Sequence, residues 1–87
     1  MTVDNVNVQQ IADKGSVIYE KIKNKYLPND IGKFLAIEID SGQEYLADTS
    51  AEALDLASKN HPDKVFFVVK IGFEVAETVA RSFMNHN

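Results

Sequence analysis

The 87-residue chain contains no cysteine. That removes a disulfide framework and any thiolate metal site, and it suits a reducing compartment. Four glycines and two prolines are too few for a linker or a low-complexity tract, and no internal repeat is visible. No apolar run approaches the roughly 20 residues that span a bilayer. The N-terminal MTVDNVNVQQ has neither the basic nor the apolar segment of a secretory leader. These absences predict a soluble, cytoplasmic protein. A glycine-rich phosphate loop, a nucleophile elbow and a Ser/His/Asp arrangement are missing too, which predicts a non-enzymatic chain without a cofactor.

What is present predicts one folded domain. A hydrophobic content of 45% is ordinary for a globule, and 87 residues allow a single modest core over 1–87. Apolar residues recur at Val8, Ile11, Ile18, Ile22 and Tyr26, a helical spacing with Gly15 filling its gap. Asn7 is placed to cap the first turn, with Gln10 completing a weak capping box. Leu27-Pro28-Asn29-Asp30 stops the helix, so 1–30 forms an N-terminal helix and turn. Glycine inside a helix costs about 1 kcal/mol relative to alanine. Its place on the apolar stripe predicts close packing at Gly15.

Residues 33–72 read as a β-β-α-β unit. KFLAIEID (33–40) alternates, with Leu35, Ile37 and Ile39 on one face and Phe34, Ala36, Glu38 and Asp40 on the other. That predicts a strand buried on one side. Asp40-Ser41-Gly42-Gln43 is a hairpin turn, and 44–47 returns as a short antiparallel strand. Thr49 with Glu52 forms a capping box, followed by an Ala53, Leu54, Ala57 stripe and an Asn60-His61-Pro62-Asp63 stop. VFFVV (65–69) is apolar throughout, which predicts a central strand covered on both faces. One cover is the Ala53/Leu54/Ala57 helix. The other is the N-terminal helix or a second copy of the chain. Residues 73–87 fit both a period of two and a helix, with propensity leaning to a helix and the end frayed. The predicted class is therefore α+β, a small sheet covered by helices, with a C-terminal segment that is helix or strand.

The candidate chemistry is thin. Asp40-Ser41-Gly42 matches the loop of aspartic proteases, which need two aspartates sharing a proton, but the same triplet is an ordinary turn. His61 and His86 lie 25 positions apart without ligand spacing, so no metal site is expected, and His61 reads as a turn residue. Net charge is −4. Lys21, Lys23, Lys25 and Lys33 form a basic stretch whose only interleaved aromatic is Tyr26, which argues against nucleic acid as a partner. Glu38, Asp40, Glu44, Asp48, Glu52 and Asp55 are followed or preceded by no base between 38 and 55. They are either a solvated surface or an acidic face that steers a basic partner.

The stretch GKFLAIEIDSGQEYLADTSAEALDLASKNHPDKVFFVVKIGF resembles a type of small prokaryotic α+β protein. Its marks are a Gly-Lys-aromatic strand, an acidic-Ser/Thr-Gly turn, an Asp-Thr capped helix, a His-Pro turn and an aromatic strand. Asp48-Thr49 followed by Glu52-Ala53-Leu54 is distantly similar to the Asp-Thr-x-x-Glu-Ala-Leu of HicB-type antitoxins. Their Pro-Asp-Leu-Pro-Gly segment has no counterpart here. The resemblance implies an antitoxin-like inhibitor of a basic ribonuclease toxin.

The residues themselves lead to a protein-interaction module that self-associates as a homodimer or binds another protein. Its expected contacts are Glu38, Asp40, Glu44, Asp48, Glu52, Asp55, Phe66 and Val68. A dimeric aspartic hydrolase using Asp40 from each chain is the remote alternative.

Overall fold

The computed structural model describes residues 8–73 and 75–80. Helix α1 (Val8–Ile22) leads through a single 3-10 turn (Lys23–Lys25) to strand β1 (Phe34–Glu38) and strand β2 (Glu44–Ala47). Helix α2 (Ser50–Asn60), strand β3 (Val65–Lys70) and strand β4 (Val75–Ala80) follow. The fold is α+β. Among the described residues four strands form one antiparallel sheet in the order β2-β1-β3-β4.

Each face of the sheet carries a helix. Phe66 and Val68 of β3 join Ala36 of β1 and pack with Ala53 and Ala57 of α2. Both alanines are fully buried, and their small side chains let the helix lie close to the strands. On the opposite face Phe67 and Val69 join Leu35, Ile37, Ile71 and Tyr19, with Ala12, Ile18 and Ile22 of α1 packed around them. The predicted central strand is thus covered on both sides by the chain's own helices.

Gly15 is the tightest point of that packing. A Cβ built there would overlap the ring of Phe67, so α1 crosses β3 at a distance only glycine allows. The buried stripe of α1 runs through Ala12, Gly15 and Tyr19, a rotation from the Ile11/Ile18 line expected from hydrophobicity alone. The Tyr19 hydroxyl accepts a hydrogen bond from the Gly72 amide at 3.2 Å, which gives its polar end a partner inside the core. Asn7 and its proposed cap lie outside the described residues.

Two expectations need correction, and one left open between helix and strand is decided. β1 ends at Glu38 rather than Asp40, because the Glu38 carboxylate accepts from the Asp40 and Ser41 amides at 2.9 Å each. Those amides are bonded locally and cannot continue a ladder. β1 is also buried on both faces from Leu35 to Glu38 rather than on one. Finally, 75–80 is a strand and not a helix. Glycine at 72, with φ of 85°, turns the chain back along the open side of β3. Pairing with the open ladder groups of β3, helped by the strand preference of Val75 and Val79, then outweighs the helical preference of Glu and Ala. The remainder of the C-terminal segment lies outside the described residues.

The Thr49 half of the expected capping box is present: its hydroxyl accepts from the Glu52 amide at 3.1 Å. At the other end the His61 amide closes the last turn on the Ala57 carbonyl at 2.8 Å. Because β2, α2 and β3 follow in that order with β1 between the strands, α2 runs from the Ala47 end of the sheet back to the hairpin end. Its first turns therefore stand over the edge strand β2. Its last residue reaches the hairpin.

Candidate functional site

The six acids expected to form one face occupy three separate places. Asp48, Glu52 and Asp55 line an open groove between the outer edge of β2 and α2. Leu46, Ala47 and Leu56 supply apolar lining, and Lys33 lines it as well. The groove measures about 490 Å³. The helical spacing of 52, 55 and 56 puts these side chains on one flank of α2. Ala47 lies on the α2 face of the sheet, and Leu46, whose side chain packs on the α1 face, borders the groove at the strand edge. Leu56 is 43% exposed, a large apolar side chain left facing water on a helix otherwise well patterned. Lys33 is held by Asp30 at 3.3 Å.

Glu44 stands apart. Its carboxylate is engaged by Lys25 at 2.8 Å and accepts a short hydrogen bond from the Tyr26 hydroxyl. Burial pushes the Glu44 carboxyl upward, but the hydrogen bonds from Lys25 and Tyr26 and the lysine charge prevail and hold it below the usual carboxylate range. Burial and the same carboxylate push the Tyr26 phenol well above its ordinary value. This pair fastens the turn after α1 to the start of β2.

The third group surrounds the hairpin. Glu38 is only 2% exposed, so its expected role as a surface contact is corrected: the side chain points into the α2 face of the sheet. Burial disfavours its charge, yet hydrogen bonds from the Ser41 side chain and the Asp40 and Ser41 amides hold its carboxyl below the ordinary range. The His61 Nδ1 lies 3.8 Å from Glu38 Oε1, beyond hydrogen-bond reach. The His61 Nε2 is 2.8 Å from the Tyr45 hydroxyl and 3.0 Å from the Gln43 Oε1, and the Tyr45 hydroxyl donates to the same Oε1 at 2.8 Å. The hydroxyl proton goes to Gln43, so Nε2 carries the ring proton in this arrangement. The network ties the C-terminus of α2 to the hairpin.

His61, Tyr45 and Gln43 were not singled out as a group by sequence. Gln43 was read as part of the hairpin turn, and it precedes β2 by one residue, two positions before Tyr45. The His-Pro turn 16 residues later is brought to them only by the α2 crossover. Asp40 is 70% exposed at the hairpin and paired with Lys64 at 3.0 Å. The acid pair of aspartic hydrolysis would need a second Asp40 from another chain beside this lysine-paired one. Phe66 and Val68, named as partner contacts, are buried under α2 and present no surface.

Among the described residues no group of three or more histidine, aspartate or glutamate side chains converges as a metal site. No helix among them is long and apolar enough to cross a membrane. No protein-family model matches the chain, and neither a curated protein nor a solved structure shows significant similarity to it. The groove beside β2 is therefore the arrangement with the clearest capacity to hold something. It combines exposed apolar area at Leu56 with three acids and one lysine, Lys33, which Asp30 already engages.

Proposed function

We propose that the chain is a non-catalytic protein-interaction module, acting in the cytoplasm, that holds a basic and partly apolar segment of another protein in the groove between β2 and α2. The observation that carries this reading is the setting of Leu46, Ala47 and Leu56 among Asp48, Glu52 and Asp55. Apolar lining supplies the burial that stabilises a complex, and the acids select the sign of the partner and speed its approach. The net charge of −4 acts in the same direction.

A different protein is favoured over a second copy as the partner. The case for a homodimer rested on an uncovered face of β3, and α1 and α2 cover both faces. Light scattering during size-exclusion chromatography measures this directly, and the expected mass is that of a monomer. Antitoxin-like inhibition of a basic ribonuclease toxin is a narrower form of the same reading, supported by the same three acids. Co-purification with a small basic protein from the native host is its test.

The groove itself is tested with a capped peptide of alternating lysine and valine, followed by amide chemical shifts of the protein. Shifts should centre on Leu46, Ala47, Asp48, Glu52, Asp55 and Leu56. The variant Asp48→Asn/Glu52→Gln/Asp55→Asn should bind about tenfold or more weakly while its circular dichroism is unchanged. Shifts distributed evenly over the surface, or unaltered affinity in that variant, would remove the proposal.

A further inference from the structure

We infer that the partner segment enters the groove as an extended strand that pairs with the outer edge of β2 and becomes a fifth strand of the sheet. This rests on the groove being the binding site and adds how the site is filled. β2 is an edge strand, bonded to β1 on one side. In an antiparallel pair, residues alternate between those bonded to the neighbour and those whose amide and carbonyl point away. The Glu38 amide donates to the Gln43 carbonyl at 2.9 Å, which makes 38 and 43 a bonded pair. With Ala36 opposite Tyr45 and Phe34 opposite Ala47, Tyr45 and Ala47 also bond inward to β1. Glu44 and Leu46 therefore aim their amides and carbonyls outward.

The two outward positions are not equivalent. Glu44 stands at the end where Lys25 and Tyr26 close over its side chain. Leu46 stands at the end that opens into the groove. Among the described residues no backbone group pairs with this donor and acceptor, which lie beside apolar lining and the acids of α2, the combination by which sheet edges take peptides. An added strand would alternate its side chains across the two faces of the sheet. One set would reach Ala47, Leu56, Glu52 and Asp55 on the α2 face, and the other would pass Leu46 on the opposite face.

Charge selects the occupant. Antiparallel pairing of β2 with its own copy, with Leu46 on the two-fold axis, would set each Asp48 against a Glu44 already held by Lys25 and Tyr26, and would join two chains of net charge −4. A lysine- or arginine-bearing strand meets the same positions with opposite charge. The partner is thus a basic segment in extended conformation.

Two versions of the lysine–valine peptide test this, one N-methylated at odd positions and one at even positions. N-methylation removes backbone donors along one edge and leaves side chains and charge intact. One version should lose about tenfold or more in affinity and the other should keep nearly all of it. Hydrogen exchange at the Leu46 amide should slow by about tenfold in the saturated complex with the unmodified peptide, in proportion to its occupancy. If both methylated versions bind as the parent does and the Leu46 amide gains no protection, strand addition is wrong while groove binding stands. If the parent peptide produces no shifts in the groove, the interaction reading fails with it.

Discussion

Replacing Gly15 with alanine sets two well-characterised effects against each other. Helix propensity alone predicts a gain of about 1 kcal/mol, because alanine restricts the unfolded chain and glycine does not. The packing predicts the opposite. The added methyl would fall on the Cβ, Cγ and Cδ1 atoms of Phe67. Because the overlap includes Cβ, rotating the ring does not relieve it. Phe67 is 4% exposed on a central strand paired on both sides, so its backbone is not free to retreat. α1 must move instead, and overpacking of this kind costs about 1–3 kcal/mol. For a methyl this deep within van der Waals contact the upper part of that range applies, and the net loss should be about 1–2 kcal/mol. In a domain of this size that lowers Tm by roughly 4–16 °C. Urea unfolding followed by far-ultraviolet circular dichroism measures it. The decisive comparison is a cycle with Phe67→Ala, in which the cost of Gly15→Ala should shrink because the ring is gone. A Gly15→Ala protein more stable than the parent would refute the close crossing of α1 over β3.

Other expectations follow from the same structure. Phe67→Ala itself should cost about 3–5 kcal/mol in the same urea assay, a large part of the stability of so small a domain. Thr49→Ala should cost about 1 kcal/mol by removing the acceptor for the Glu52 amide, and thermal unfolding will register it. Glu38→Gln should cost about 1–3 kcal/mol at pH 7, since the amide nitrogen would face one of the two backbone donors now served by carboxylate oxygens. The native Glu38 carboxyl lies below its unfolded value. Its contribution is therefore complete above about pH 4.3 and is lost as pH falls through the native value. Parent and variant stabilities should converge in acid, and urea midpoints measured from pH 7 down to pH 3 will show whether they do.

Much of this fold was legible in the residues because the signals are local. The Thr49 cap needs only its own helix turn, and the alanines of α2 announce close packing by their size. VFFVV declares a central strand by having no polar position to expose. Gly15 signalled a close approach because nothing else justifies glycine on a buried stripe. What remained hidden depends on segments distant in the chain. Residues 75–80 carry both periodicities, and only the open ladder of β3 decides for a strand. Glu38 reads as one more exposed acid until the β1–β2 hairpin and α2 enclose it and its own turn supplies the donors that keep it charged. The six acids look like one face along the chain, yet the alternation of β1 and β2 and the crossover of α2 send them to three places. Sequence periodicity assigns a side chain to a face of its own element. Which faces meet, and which edge stays open beside them, is settled by packing free energy summed over the whole sheet, and the groove at β2 exists only at that level.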